Sequence, residues 1–458
     1  MAPSSAMVST DKGESHPTPA YKCSKTVEEV VQVAVKQKIL TDASPLALFM
    51  DNANLRDTIG QLKTAFPIHD GVCHCFAIKA NPLTEVLKMI FKEGLGAECA
   101  SIVEVEQALR LGVLPHNIVF DSPCKTSSEI LRCIQSGIVI NLDSMDEVER
   151  VASLVEAESL NASKLKVGVR INPQIGSGTI KCTSTATKSS KFGVPLDHYR
   201  KELVAAFLKY DWLTGLHCHV GSQGCSIELL IQGAKVLCEF ASDIEKAAGK
   251  QKVRFLDIGG GLSVDYLSGT DSSYERNKNV TLFETYFTQL REAVPDIFTS
   301  KYNIYTEFGR SIVQKSGFLV SKVENTKIVD GRNLAICHIG ANLVLRTCYL
   351  PDTWKHNITV HSPEGSVKTE SVAEQDVAGP LCFSGDIIAQ KRSLPQIKTG
   401  DLVVVHDCGG YTYGMYSKYN SRSAPPVYSF EDDISDSQKP FITVKKAESI
   451  EETLQFWD

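Results

Sequence analysis

Short apolar runs alternate with amphipathic stretches along the first two thirds of the chain. Apolar runs of strand length occupy residues 46–50, 73–79, 96–100, 117–120, 138–142, 166–171, 213–219, 255–258 and 304–307. Apolar residues at helical spacing fill 83–92, 102–111, 127–135, 146–157 and 227–248. Strand-then-helix repetition over roughly 250 residues is typical of a closed (β/α)8 barrel, whose active site lies at the carboxyl ends of its strands. A doubly wound open sheet is the alternative, because alternation alone does not establish closure.

The pattern changes after Arg310. Strand-like runs at 313–326, 333–339, 358–360 and 402–406 are separated by Gly, Pro and Asp, with little helix between them. We therefore predict an α/β protein of three segments: a partly disordered leader with a helix at 27–38 (residues 1–43), a barrel (44–310), and a β-rich domain of sandwich or barrel type (311–458). The leader helix could pack on either domain.

Composition narrows the function classes. Of 458 residues, 43% are hydrophobic and 22% charged, which is ordinary for a globular protein, and the formal net charge is -6. Neither sign of charge is concentrated in a tail, which argues against nucleic acid or an anionic membrane as a main partner. No apolar stretch reaches the length of a membrane span. The fourteen cysteines contain no Cys-x-x-Cys pair, so we interpret most as free thiols in a reducing compartment and predict a cytoplasmic protein.

Lys79 ends the apolar run 75–78 and is followed by Ala80-Asn81-Pro82. A lysine at the end of a buried strand is costly unless its amine has a function. Partial desolvation lowers the pKa of an amine, and a neutral amine can form a Schiff base with an aldehyde such as pyridoxal phosphate. An ordinary exposed lysine is the alternative. A pyridoxal site would also need a phosphate cradle, a carboxylate for the ring nitrogen and a group over the ring.

Candidates for these parts follow later strands. His217 and His219 are two residues apart and could hold a metal, but no third ligand stands at suitable spacing, so we predict no metal and a histidine packed over a flat cofactor. Ser222 could donate a hydrogen bond to phosphate. Three glycines at 259–261 allow backbone N–H groups to approach an anion, unless they form a plain flexible turn.

Two further clusters complete the set. Glu307, at a strand end, could pair with a pyridine nitrogen, and Arg310 suits a phosphate, although a surface ion pair is the alternative. Cys382 lies in a Gly/Pro-turned loop and could be a proton donor, whereas a lone cysteine is usually inert. Tyr411, in a glycine turn, could contact phosphate and substrate or belong to an interface.

Together, these segments from about residue 45 to 430 resemble the alanine-racemase-like (fold type III) pyridoxal phosphate-dependent decarboxylases of basic amino acids. That group includes ornithine and diaminopimelate decarboxylases. Segments 379–382, 407–411 and 419–422 are most similar to the diaminopimelate branch, whereas 121–125 is more similar to the ornithine branch.

The resemblance implies roles for individual residues. Lys79 would hold pyridoxal 5'-phosphate as an internal aldimine, His219 would stack on the ring, Glu307 would pair with the ring nitrogen, and Arg170 would lie near the ring. The phosphate would be surrounded by Ser222, Gly259, Gly260, Gly261, Gly309, Arg310 and Tyr411. Cys382 would reprotonate the substrate carbanion after loss of CO₂. Because the cysteine loop of this family reaches the lysine of the other subunit, a homodimer is implied.

The substrate end departs from the family pattern. Phe383 stands where amine-specific members carry an acidic residue for the distal ammonium, and Phe308 replaces the usual proline. Asp386 could compensate, and Arg346 and Tyr349 are near the positions of substrate-carboxylate contacts in the diaminopimelate branch, with Tyr411 alongside. We therefore expect a decarboxylase (a carboxy-lyase) for an amino acid other than the standard diamine precursors.

Several alternatives remain open at this stage. The chain could be a diaminopimelate, ornithine or lysine decarboxylase with an unusual pocket, or a racemase on the same scaffold. From a different class, it could be a catalytically silent regulator of a homologous decarboxylase, although such proteins typically lose the lysine or phosphate contacts that this sequence keeps.

Overall fold

The computed structural model describes residues 25–68, 71–266, 281–431, 434 and 439–458. The predicted disorder at the start of the leader lies outside these residues. The strands are β1 (Leu46–Asp51), β2 (Val72–Ala77), β3 (Gly96–Cys99), β4 (Ile118–Asp121), β5 (Val139–Leu142), β6 (Val167–Asn172), β7 (Val194–Pro195), β8 (Leu213–His217), β9 (Phe255–Asp257), β10 (Asn303–Phe308), β11 (Gly317–Val329), β12 (Arg332–Cys337), β13 (Ile358–His361), β14 (Val372–Ala378), β15 (Ile387–Pro395), β16 (Leu402–Val405), β17 (Val427–Phe430) and β18 (Ile442–Lys445).

The helices frame these strands. They are α1 (Lys25–Lys36), α2 (Asn52–Ala65), α3 (Thr84–Lys92), α4 (Ile102–Arg110), α5 (Ser127–Ser136), α6 (Met145–Ala157), α7 (Leu196–Lys209), α8 (Ile227–Ala248), α9 (Leu282–Ala293), α10 (Arg310–Val313), α11 (Leu345–Tyr349) and α12 (Ile450–Gln455). Local chemistry sets their ends. Helix α5, for example, begins at a capping box between Thr126 and Glu129 and ends at Gly137, whose φ of 77° a residue with a side chain rarely adopts.

Eight parallel strands close into a barrel, as predicted. The hydrogen-bonded order is β2-β3-β4-β5-β6-β8-β9-β10, and β10 pairs again with β2, which excludes the open sheet. Inside the barrel, Cys75, Val119, Val139, Phe255 and Tyr305 form one buried apolar cluster. The Phe255 ring fits because β8 carries Gly215 opposite it: an added Cβ there would lie 1.9 Å from the ring. The barrel interior is therefore a packed core rather than a channel.

The predicted start of the barrel at residue 44 is wrong. Strand β1 pairs antiparallel with β11 and parallel with β17, so it belongs to the second domain. Helix α2, capped by the Asp51 side chain, then leads into the barrel. Strand β1 is buried along nearly its whole length, as a barrel strand would be. Its composition therefore does not reveal which strands it pairs with.

The second domain is a mixed β-sheet structure, as predicted. Its longest strand, β11, pairs with β1, β12 and β16, and β14 and β15 extend the sheet beyond β12. Helix α1 packs on this domain, because Val27, Val30, Val31 and Ala34 are buried in one cluster with Phe49, Phe318 and Val320. Among the described residues, every cysteine is a free thiol and no helix combines the length and apolarity that crossing a bilayer requires.

Buried histidines make the second domain sensitive to acid. The hydroxyl of Thr359 lies 2.9 Å from Nε2 of His406 and 3.0 Å from Nε2 of His361, and Nδ1 of His356 lies 2.7 Å from the carbonyl oxygen of His406. Burial lowers the pKa of His356 from 6.5 to about 4 and that of His406 to about 3. The folded domain therefore keeps these two imidazoles neutral at pH values at which the unfolded chain binds protons.

We expect stability to be full above pH 6.5 and to fall as the pH drops below it. By about pH 5, the loss should be about 2 kcal/mol for each of His356 and His406, since one pKa unit corresponds to about 1.4 kcal/mol. Urea unfolding near pH 7.5 and near pH 5 measures this loss. His406→Gln should show a smaller loss between the two pH values, and the exposed-histidine control His198→Gln should behave as wild type. An unchanged loss in His406→Gln would contradict the assignment.

Candidate active site

The carboxyl ends of the barrel strands meet a loop of the second domain. The backbone N–H of Tyr411 donates to the carbonyl oxygen of Ala80 at 2.7 Å, and the amide of Asn81 donates to the carbonyl oxygen of Gly409 at 2.8 Å. These bonds fix the 407–413 loop beside Lys79, which sits in a single 3-10 turn directly after β2.

Lys79 is held by a carboxylate on the neighbouring strand. Its Nζ lies 2.5 Å from Oε2 of Glu98, and its side chain is 40% exposed. Burial alone lowers the pKa of Lys79, but attraction by Glu98, Glu307 and Tyr411 outweighs it and leaves the pKa above its ordinary value. The expectation of a lowered pKa is therefore wrong for the protein alone: the amine is charged and must transfer a proton before it can act as a nucleophile.

Glu98 is a site residue that the sequence analysis missed. It lies on β3 with a fully buried side chain, and burial raises the pKa of its carboxyl while the Lys79 ammonium opposes that rise. The signal in the sequence was a single acidic residue inside the short apolar strand 96–99. Because Glu98 is within hydrogen-bond distance of Lys79, it can accept the proton that the amine must lose.

Four charged side chains of alternating sign lie in a row across the barrel mouth. Nη1 of Arg170 on β6 is 2.9 Å from Oδ2 of Asp121 on β4, and Oδ1 of Asp121 is 3.6 Å from Nδ1 of His217 on β8. Nε2 of His217 is 3.4 Å from Oε2 of Glu307 on β10. Burial raises the pKa of Glu307, but His217 lowers it more. The pKa therefore lies well below its ordinary value, and the carboxyl is ionised.

His219 lies beside Glu307 in a different protonation state. The backbone N–H of Gly260 donates to Nδ1 of His219 at 3.2 Å, and this nitrogen is 3.6 Å from Oε2 of Glu307. A nitrogen that accepts a hydrogen bond carries no proton, so the ring is neutral, and burial lowers its pKa. The structure thus brings the predicted stacking residue to the mouth as a flat, neutral ring.

The glycine cluster 259–261 forms a close-fitting turn rather than a flexible one. Gly259 and Gly261 have φ values of 66° and 106°. An added Cβ at Gly260 would lie 2.1 Å from the carbonyl oxygen of Glu307, and one at Gly261 would lie 2.1 Å from that of Gly221. Ser222 is next to this turn, where its own N–H donates to the carbonyl oxygen of Thr183. The N–H groups of Gly259 and Gly260 already donate to Asp257 and His219, so the turn would hold an anion through the N–H of Gly261 and the close approach that glycine permits.

Arg310 presents unsatisfied donors at the same place. It follows Gly309 at the start of α10, is 4% exposed, and donates from Nη1 to the hydroxyl of Tyr266 at 2.6 Å. Its Nε and Nη2 are buried and find no hydrogen-bond partner among the described residues. Buried guanidinium donors without partners are costly, so this geometry suits an anionic ligand such as a phosphate.

Tyr411 separates two arginines. Its ring lies 4.3 Å from the guanidinium carbon of Arg310 and 4.8 Å from that of Arg346, and Trp354 contacts both guanidinium groups from another side. Nη1 of Arg346 is also buried without a partner in the described part of the chain. Tyr411 has a φ of 53°, an unfavourable conformation for a tyrosine that its bond to Ala80 maintains. The pocket is therefore cationic.

The predicted proton donor is an exposed thiol in a loop of the second domain. Cys382 is exposed; its N–H donates to Oδ1 of Asn420 at 2.8 Å, and its carbonyl accepts from the hydroxyl of Tyr419 at 3.0 Å. The ring of Phe383 stacks on Tyr349 with centroids 4.9 Å apart. The two predicted carboxylate contacts thus separate: Arg346 lies in the pocket, whereas Tyr349 is exposed beside the cysteine loop.

Asp386 does not fit the predicted substrate contact. It is 2% exposed, and its carboxylate accepts hydrogen bonds from the N–H of Ala341 at 2.6 Å and of Leu381 at 2.8 Å. Gly340 and Gly379 pack against it so closely that an added Cβ at either would lie within 2.7 Å of its oxygens. Asp386 instead holds the loop that carries Cys382, and its charge is already satisfied.

Asp121, His217 and Glu307 form a compact buried cluster whose polar atoms lie within 4.8 Å of one another. The two carboxylates face different ring nitrogens of His217, Asp121 facing Nδ1 and Glu307 facing Nε2. These residues are far apart in the sequence and meet only because β4, β8 and β10 end at the same mouth. His219, the other histidine that was weighed as a possible ligand, accepts a hydrogen bond from the N–H of Gly260 through its Nδ1.

Comparison with known proteins places these observations in context. Residues 52–314 match the family described as pyridoxal-dependent decarboxylase, pyridoxal binding domain. Diaminopimelate decarboxylase of Helicobacter pylori is 31% identical over 366 residues, which cover 78% of this chain and 84% of that protein. A probable chloroplastic diaminopimelate decarboxylase of Oryza sativa subsp. japonica is 29% identical over 385 residues, covering 84% of this chain and 74% of that protein.

Solved structures give the same result. Diaminopimelate decarboxylase from Helicobacter pylori complexed with L-lysine is similar with a TM-score of 0.77 and 28% identity, over 92% of this chain and 99% of that one. The arginine decarboxylase of Paramecium bursaria Chlorella virus is similar with a TM-score of 0.71 at 21% identity, over 88% of this chain and 100% of that one, which supports the fold alone.

Proposed function

We propose that this chain, which belongs to the family of pyridoxal-dependent decarboxylases, binds pyridoxal 5'-phosphate through Lys79 and removes the α-carboxylate of an amino acid whose far end is not an ammonium group. The observation that carries the proposal is the convergence, at one barrel mouth, of the Lys79 amine, the ionised Glu307 and the unsatisfied donors of Arg310. The unsatisfied Arg310 donors are costly without an anionic ligand, and the amine and the carboxylate beside them match the other parts of the cofactor.

The residues present fit this cofactor. Arg310 and the turn 259–261 can hold its phosphate, and Glu307 can hold a proton on its ring nitrogen. The flat, neutral ring of His219 lies between these positions and can pack on the pyridine, with Arg170 nearby. Pyridoxal phosphate, joined to an amine, supplies an electron sink for the bond that breaks at Cα.

The chain's own groups would perform the remaining work. Glu98 can take the proton that Lys79 must lose, because the two side chains are in direct contact. The charges of Arg310 and Arg346 can bind anionic groups and so orient the substrate, and the 407–413 loop holds Tyr411 between the chain segment after Lys79 and these arginines. Cys382 would deliver a proton to Cα after CO₂ has left.

That last role requires a second copy of the chain. Cys382 is exposed on the single chain, in a loop that Asp386, Tyr419 and Asn420 hold in place. An ordered loop that presents a thiol outward fits a two-fold dimer in which each subunit completes the other's site. We therefore propose a homodimer with shared active sites.

The substrate preference rests on the charges around the site. Phe383 offers only an apolar ring, and the carboxylate of Asp386 is taken up by the loop backbone. Arg310 has donors for the cofactor phosphate, and Arg346 is a second, partly buried cation whose Nη1 is buried without a partner in the same pocket. A far carboxylate on the substrate matches this cation, whereas a far ammonium would be desolvated without a partner.

Lys79→Ala should abolish the absorbance band near the visible edge that the purified wild-type protein is expected to show, together with CO₂ release, because the Schiff base is lost. Borohydride reduction followed by peptide mass analysis should place the cofactor on Lys79 in wild type. Lys88→Ala, which removes an exposed lysine paired with Glu85, is the matched control and should keep both properties. A wild-type protein without the band would favour a silent regulator.

Mixing two inactive variants tests the shared site. Lys79→Ala and Cys382→Ala should each lose amine production, while subunit exchange between them should restore about one quarter of wild-type activity, because half of the dimers are mixed and each mixed dimer has one complete site. Size-exclusion chromatography checks that dimers form. Full activity of Cys382→Ala, with the same amine product, would rule out this thiol as the proton donor.

Two diacids that differ only by one ammonium group test the substrate preference. Wild type should release CO₂ from aminopimelate with a kcat/KM at least about tenfold higher than from meso-diaminopimelate, because the second ammonium group would be desolvated without a partner. A tenfold difference corresponds to about 1.4 kcal/mol. Phe383→Glu should reverse the preference, and the apolar control Phe383→Leu should keep it. A wild-type preference for meso-diaminopimelate would contradict the proposed substrate class while leaving the cofactor assignment intact.

A further inference from the structure

We propose that His217 is a positioning residue: an imidazolium that stays charged near neutral pH between Asp121 and Glu307 and keeps Glu307 ionised. The charge on His217 is inferred from its contacts in this chain. Its effect on the bound cofactor rests on the proposed function.

The geometry around His217 determines its protonation. The side chain is fully buried, with Oδ1 of Asp121 3.6 Å from Nδ1 and Oε2 of Glu307 3.4 Å from Nε2. Neither ring nitrogen makes a hydrogen bond within the described residues, so these two ion-pair contacts decide the protonation of the ring. A neutral imidazole would direct a lone pair at one of the two carboxylates, whereas an imidazolium directs an N–H at both. The charged form is therefore the one that suits both neighbours.

Asp121 excludes the main alternative, in which the proton sits on a carboxylate. Its second oxygen is paired with Arg170 at 2.9 Å, and attraction by Arg170 and His217 outweighs burial and lowers its pKa. Nδ1 of His217 thus faces an ionised group and keeps its proton. Nε2 then carries the second proton and faces Glu307, whose carboxylate is stabilised by it.

The other charged groups around His217 agree with this assignment. Asp257 on β9 is bonded by Asn141 and by the N–H of Gly259, and burial raises its pKa well above its ordinary value, so it adds little negative charge. Lys79 faces Glu98 and Glu307 rather than His217, and His219 is neutral. Burial lowers the pKa of His217, but Glu307 and Asp121 raise it to about 9.

The consequence concerns where a shared proton resides. A carboxylate next to an imidazolium has a lower proton affinity than one alone. A proton shared between Glu307 and a base that faces it, such as a pyridine nitrogen, therefore stays on the base. His217 would act on the reaction through Glu307, without touching the substrate.

A divalent cation on the same three side chains is the competing interpretation. An ion would bind one nitrogen of His217 through its lone pair, and the carboxylates lie at opposite nitrogens of the ring. This arrangement suits two N–H donors better than one ion. Stoichiometric metal in the purified full-length protein, measured by elemental analysis, would overturn the proposal.

His217→Gln tests the role, because an amide can still donate toward Glu307 but cannot be charged. The acid limb of kcat should move upward by about one pH unit or more as the pKa of Glu307 rises. The control His74→Gln removes another buried barrel histidine, which is bonded to Thr306 and the carbonyl oxygen of Phe66 and has a pKa lowered to about 4. It should lower the melting temperature without moving the acid limb. An unmoved limb in His217→Gln would overturn the proposal.

Imidazole nitrogen NMR of the full-length protein gives a readout that does not depend on activity. The His217 ring should remain doubly protonated near pH 7.5, with or without the cofactor, and a neutral ring at that pH would overturn the proposal. If His217→Gln does not fold, Asp121→Asn serves instead and should make His217 lose its proton at a lower pH than in wild type. Absence of a cofactor band would contradict the proposed function but not the charge on His217, because the NMR measurement does not depend on the cofactor.

Discussion

The candidate active site depends on the mutual compensation of buried charges at the carboxyl ends of the barrel strands. Three buried carboxylates there each have a cation on a different strand or strand end: the pairs are Glu98 with Lys79, Asp121 with Arg170, and Glu307 with His217. Transferring one ion from water into a protein interior costs several kcal/mol, and this cost is offset only when a partner is fixed close by. Barrel closure provides that fixation, because it brings the ends of non-adjacent strands to one mouth.

This dependence explains which parts of the site could be predicted from the sequence. Lys79, His219, the glycines at 259–261, Glu307 and Arg310 each stand directly after an apolar run, so their position at the mouth follows from the alternation of strands and helices. Glu98 was missed, because a single acidic residue within a four-residue strand has no distinguishing neighbour. The expected lowering of the Lys79 pKa was wrong because Glu98, which raises this pKa, lies on the next strand and is far from Lys79 in the sequence.

The fold shows the same division between local and non-local information. Barrel strands and amphipathic helices were predicted to within a few residues, as for α8, because their periodicity is a local property. Strand β1 was assigned to the wrong domain, since an apolar run does not indicate which strand it pairs with. Strands β14 and β15 were not predicted because much of each is polar and exposed, and they are stabilised mainly by pairing with each other and with β12.

The charges that remain after pairing define what the site can accept. The carboxylates of Glu98, Asp121 and Glu307 are paired with cations, and that of Asp386 is bonded to its own loop. The buried guanidinium donors without partners among the described residues belong to Arg310 and Arg346. A phosphate satisfies the first of these, and the second requires another anion. Selectivity at the substrate end would therefore arise from the same rule that organises the cofactor end: each buried charge needs an opposite charge within reach, and here the charge still unmatched is positive.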